Sequence, residues 1–136
     1  MTRRSDLAVK ALRVLDDAPV RVKGPELARR LNSTPGFVPQ VLGPLVRARW
    51  VKSDPGPTGG YRLIADLADI SVLQVIEAIE GPTDTGQCVL VDRPCDEAGH
   101  CALHRPWTHA RDVLLADLET VSVAEVCSDY FGLPDV

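Results

Sequence analysis

Cys88, Cys95 and Cys101 fall within fourteen residues, and His104 follows the last of them after two intervening positions. Thiolates are soft ligands. Three in so short a run can converge on one centre once the chain between them folds around it, and they select iron-sulfur clusters or zinc over hard cations. Buried thiols acting as small hydrophobes are a poorer reading, because the neighbours are Asp92, Arg93, Asp96, Glu97 and Gly99. A redox disulfide without metal is a further alternative, although no C-x-x-C pair is present. His104 reads equally as a ligand and as an exposed residue opening a helix. Cys127 stands apart beside Val123 and Val126, where packing is the expectation. No nucleophile-base pair and no phosphate-binding glycine loop appears, so an enzyme is not expected.

The chain that must position these residues has 136 of them, 45% hydrophobic and 25% charged, the balance of one globular domain. No apolar stretch approaches the ~20 residues of a membrane span. The opening Met-Thr-Arg-Arg-Ser-Asp lacks the apolar core of a signal peptide, so the expected compartment is the cytoplasm, where thiols stay reduced or bind metal. Charge is divided unevenly. Residues 1–62 hold twelve Lys or Arg against five acids, a net of +7, and the remainder holds three against fourteen, a net of −11. One half can meet a polyanion and the other would repel it.

Helical periodicity begins after Thr2, a good N-cap, with Leu7, Ala8, Ala11, Leu12, Val14 and Leu15, and ends at Asp16-Asp17-Ala18-Pro19. A second, short helix is expected from Pro25 to Asn32. A third is expected from Pro35 to Ala48, capped by Ser33 or Thr34, with irregularity at Pro39 and Pro44. Two short helices across a tight polar turn make a helix-turn-helix. Trp50–Ser53 and Tyr61–Ile64 flank a Gly- and Pro-rich turn and predict a β-hairpin, which in this position is a wing. Ser71 should cap a helix from Val72 to Glu80, ended by Gly81-Pro82, and a long helix should run from Pro106 to Thr120 before a short amphipathic turn at Ser122–Cys127. The fold class is thus mainly α with a small β-hairpin wing. Residues 1–66 form the winged helix-turn-helix, 67–82 a linking helix, 83–103 a cysteine loop, and 104–136 a long C-terminal helix and tail.

Placed in a major groove, the third helix presents its first turn to the base edges, which makes Thr34, Phe37 and Gln40 the candidates for reading sequence. Phe37 reads equally as core, and Gln40 as a solvated residue. Arg3, Arg4, Arg29, Arg47, Lys52 and Arg62 suit phosphates, which position a protein without reading sequence. Gly59, Gly60 and Tyr61 belong to the wing turn beside Arg62.

The string from Thr2 to Leu12, the helix-turn-helix, the turn ending Gly59-Gly60-Tyr61-Arg62-Leu63, the helix Ile70–Gly81 and the three-cysteine loop together resemble the IscR/NsrR family of bacterial winged-helix transcription regulators. The resemblance covers nearly the whole chain. It implies a cytoplasmic DNA-binding repressor, homodimeric through the long C-terminal helix, on a palindromic double-stranded operator. It also implies an iron-sulfur cluster, 4Fe-4S favoured over 2Fe-2S, that senses nitric oxide, redox or iron status. Cys88, Cys95 and Cys101 match the family's cysteines, with a first gap of six residues where five is commoner. Asp6 falls where NsrR-like members place a fourth ligand for the partner subunit's cluster, and His104 where IscR-like members place theirs; Ser5-Asp6-Leu7-Ala8 favours Asp6. Pro55 replaces the arginine usual in the wing, and Arg49 the glycine usual after the recognition helix. The alternatives are a structural Cys3His zinc site or a metal-free thiol switch in a DNA-binding protein, a Cys3His zinc module binding RNA, and an electron-transfer or cluster-carrying protein. The acidity of the loop disfavours the RNA module, and a complete helix-turn-helix and wing would be superfluous in an electron carrier.

Overall fold

The computed structural model describes residues 2–83 and 102–130, and the side chains of all of these except Asp129 and Tyr130. Cys88, Cys95 and Cys101, with most of the 83–103 loop and the tail after 130, lie outside the described residues. Helix α1 (Arg3–Asp17) is the axis of the molecule. Thr2 caps it as expected, its Oγ1 accepting the Ser5 N–H at 3.3 Å. Leu7, Ala8, Ala11, Leu12 and Leu15 share one buried face. Against α1 pack α2 (Gly24–Arg30), α3 (Val38–Arg47), the second wing strand, α4 (Val72–Glu80) and α6 (Val123–Tyr130).

The second and third helices are both shorter than their periodicity predicts. Helix α2 starts at Gly24 with Pro25 in its first turn and stops at Arg30, because Asn32 turns left-handed with φ 53°. Helix α3 starts at Val38 rather than Pro35, and neither Ser33 nor Thr34 caps it with a side chain. Residues 34–37 close a separate turn instead, the Phe37 N–H donating to the Thr34 carbonyl at 3.0 Å. This later start puts Pro39 in the first helical turn, where its missing N–H is no loss. Pro44 lies in the interior and is buried, and the helix continues through it, the Ala48 N–H reaching the Pro44 carbonyl at 3.0 Å.

Strands β1 (Val51–Asp54) and β2 (Gly60–Leu63) pair antiparallel, with Val51 opposite Leu63 and Lys52 opposite Arg62. The turn between them requires glycine at both its closing positions. A Cβ at Gly59 would lie 2.0 Å from the Asp54 carbonyl oxygen, and one at Gly60, where φ is +140°, 2.7 Å from that of Val22. The second approach is close because Val22 pairs with Tyr61 as a one-residue third strand, through hydrogen bonds of 2.8 and 2.9 Å. The wing is therefore tied to the loop between α1 and α2.

Ser71 and Gln74 form a reciprocal capping box on α4. Ser122 and Glu125 repeat the arrangement at α6, and the hydrogen bonds from the Ser122 backbone and hydroxyl hold the Glu125 carboxyl below the usual range. Residues 70–72 and 121–123 exchange backbone hydrogen bonds of 2.8 Å, which fix α6 beside the start of α4. Between them α5 (His104–Thr120) begins two residues before Pro106, again in a turn that needs no N–H there. It contacts α4, yet none of its residues is buried. Leu103, Trp107, Ala110 and Leu114, spaced as one face of a helix, are all exposed. Among the described residues no helix is long and apolar enough to cross a membrane.

Candidate nucleic-acid interface

The packing of α3 decides which of its residues can touch a ligand. Val38, Val41, Leu42 and Leu45 face the core, which leaves Gln40, Gly43 and Arg47 on the outer side at helical spacing. Gly43 places no side chain between the other two. Thr34 is exposed in the turn ahead of the helix, whereas Phe37 is half-buried and packs against the core. Of the three base-reading candidates, Thr34 and Gln40 are thus accessible, and Phe37 serves mainly to seat α3.

The cations fall into separate groups. Lys52 and Arg62 are cross-strand partners and both are exposed, on one face of the wing. Like charges directly opposite each other destabilise a hairpin. Asp54, 3.9 Å from the Lys52 ammonium, offsets part of that repulsion, and a phosphate between the two cations would offset the rest. Arg29 is exposed on α2 and lies 3.6 Å from Glu26, a surface ion pair too weak to prevent a phosphate contact. Arg3 and Arg4 are exposed on the first turn of α1, whose cap Thr2 lies against Glu80 at the end of α4, so they sit on the side from which the cysteine segment departs. Gly59 and Gly60 shape the wing, and half-buried Tyr61 pairs with Val22.

Asp6 lies one residue beyond buried Ser5 on α1, its carboxylate 2.8 Å from the Lys10 ammonium. His104 is half-buried at the first position of α5. Among the described residues no three metal-binding side chains converge. Sequence reasoning missed a structural cation, Arg21, whose Nε donates to Asp54 at 2.6 Å and braces the turn end of the wing from 33 residues away. No local pattern announces a contact of that separation. It also missed the pairing of Ser5 with Glu80.

Comparison with known proteins agrees with this geometry. Residues 1–129 match the family model Rrf2, described as an iron-dependent transcriptional regulator. The chain belongs to the Rrf2 family. It is 29% identical over 133 residues to the HTH-type transcriptional regulator IscR of Vibrio vulnificus, covering 95% of this chain and 77% of that one. The fold is that of CymR, the global cysteine regulator of B. subtilis, with TM-score 0.71 at 22% identity over 94% of this chain and 95% of the other. It is likewise that of T. potens IscR, with TM-score 0.67 at 19% identity over 95% and 86%. This Rrf2 protein is a winged-helix, DNA-binding transcriptional regulator and not an enzyme.

Proposed function

We propose that this Rrf2 protein is a homodimeric repressor whose operator affinity depends on an iron-sulfur cluster held by Cys88, Cys95 and Cys101. The observation that carries the reading is the donor set: three thiolates in one acidic segment rooted between α4 and α5, two helices that touch each other. That set suits an iron-sulfur cluster, and a cluster bound there supplies a centre sensitive to nitric oxide, oxidants and iron supply. The family's description as iron-dependent points the same way.

Asp6, from the partner subunit, is the favoured fourth ligand. Its exposed ion pair with Lys10 is worth at most about 0.5 kcal/mol, too little to keep the carboxylate from a metal. His104 is the alternative, three residues after Cys101, and a Cys3His set of that kind would also accept zinc. With Asp6 on one subunit's α1 and the cysteines on the other's loop, residues of both chains fix the spacing between the two α3 helices. A palindrome with half-sites about one helical turn apart demands such a fixed spacing.

In this reading residues 1–66 bind DNA, 67–82 link, 83–103 sense, and 104–136 dimerise. The open apolar stripe of α5 is the surface for the second copy. On DNA, Thr34 and Gln40 read bases and Arg29, Arg47, Lys52 and Arg62 hold phosphates, with Arg3 and Arg4 reaching the flank. Anaerobic purification followed by absorption spectroscopy and metal analysis tests the proposal. A brown protein with iron and sulfide in stoichiometric amount is expected, and a colourless one with stoichiometric zinc would overturn it. Replacing Asp6 with alanine should leave the fold intact and uncouple metal status from operator affinity.

A further inference from the structure

Ser5 is fully buried, and among the described residues it is the only buried polar side chain. Its hydroxyl donates a hydrogen bond to the Glu80 carboxylate, 75 residues away on the last position of α4. The same carboxylate oxygen accepts the Thr2 N–H at 3.5 Å, and the Thr2 hydroxyl lies 3.5 Å from that of Ser5. One acidic side chain therefore closes over the N-terminal turn of α1. Immediately after Glu80 the chain leaves the helix through Gly81, with φ +88°, and Pro82.

Nothing in the core requires a carboxylate at this point. A serine in an otherwise apolar interface lowers stability unless its hydroxyl is paired, and alanine there would need no partner. What the arrangement provides is a directional link. Glu80 sits at the root of the 83–103 segment, and Ser5 adjoins Asp6 and the exposed pair Arg3 and Arg4. We infer that Glu80 and Ser5 form a clasp through which the state of the cysteine segment sets the position of the first turn of α1. Displacing the segment's root pulls the acceptor from Ser5 and Thr2, and leaves a buried hydroxyl unpaired and the α1 cap loose. Because α1 also packs on α3, the loss passes to the reading head. Both residues are positioning residues, and the inference rests on the sensing role proposed above.

The test uses the full chain in two states, anaerobically loaded with iron and sulfide or metal-free. Hydrogen exchange of residues 3–8 is followed by mass spectrometry, and affinity is measured for a fluorescent duplex enriched from a random pool by the wild type. In the wild type, loading should slow exchange of the α1 first turn at least tenfold and change affinity. Glu80→Ala should abolish the difference in exchange and bring the affinity ratio towards one. Glu80→Gln should retain both, since its amide oxygen accepts the same bonds. Ser5→Ala, which leaves no unpaired hydroxyl and keeps the fold, should reduce the exchange difference. A Glu80→Ala protein that still shows the wild-type difference, or a Glu80→Gln protein that loses it, overturns the clasp alone. A wild type indifferent to loading overturns the sensing role, and the clasp with it.

Discussion

If α5 is the face of the proposed dimer, Trp107→Ala should dissociate it. Trp107 is 54% exposed on α5 and Leu114, two turns on, is 57% exposed. A tryptophan covered in an interface buries about 150–250 Å², so about 100 Å² of this one is left for a partner. At ~25 cal/mol per Å² this contributes about 2.5 kcal/mol per helix. A twofold interface uses the residue twice, giving about 5 kcal/mol, or about 4 once the alanine methyl is credited. With 1.4 kcal/mol per decade, the dissociation constant should rise ~10³-fold. Sedimentation velocity over a concentration series measures it. Val20→Ala, at a residue 73% exposed in the loop before α2, serves as the control with no expected effect. A Trp107→Ala protein whose dissociation constant stays within about threefold of the wild type would exclude α5 as the dimer surface.

Gly59→Ala must push the wing turn apart, because its Cβ would fall 2.0 Å from the Asp54 carbonyl oxygen; operator affinity should drop at least ~10-fold with helicity by circular dichroism unchanged. Operator affinity should fall steeply with salt, and Lys52→Ala should reduce the slope of log K against log salt by about 2, one phosphate per subunit of the proposed dimer, in anisotropy titrations at several salt concentrations. Burial pushes the Cys127 thiol above its ordinary value, with Arg13 opposing and Asp16 and Asp17 assisting. Its neutral form is favoured in the folded state, so its contribution to stability is fully present below the unfolded thiol's pKa of about 8.5 and is lost as pH rises through the folded value. Urea melts of wild type and Cys127→Ala at pH 7 and pH 10 should show the gap between them narrowing at the higher pH.

What the sequence discloses is what its local chemistry decides. Thr2, Ser71 with Gln74, and Gly81-Pro82 mark helix ends because caps and breakers act within three or four residues. The wing is legible for the same reason, since its strands adjoin their own turn. The start of α3 is not. Ser33 and Thr34 look like caps, but Pro35 and Gly36 make a separate turn that delays the helix to Val38, and two competing local signals leave the boundary open. Three features depend on distant partners and leave no local trace: the Val22–Tyr61 bridge, the Arg21–Asp54 brace and the Ser5–Glu80 clasp. At the interface, spacing alone nominates Phe37 as readily as Gln40, and only the packing of α3 separates the half-buried ring from the exposed amide.

In the proposed mechanism Cys88, Cys95 and Cys101 govern DNA affinity. The decisive measurement is an anaerobic anisotropy titration of the selected duplex, with wild type and the Cys88→Ser, Cys95→Ser, Cys101→Ser triple variant each prepared with and without iron and sulfide. Loading should change the affinity of the wild type at least tenfold and leave that of the variant unchanged, with the variant binding like metal-free wild type. Equal affinity in all four preparations would mean that the cysteines do not control DNA binding.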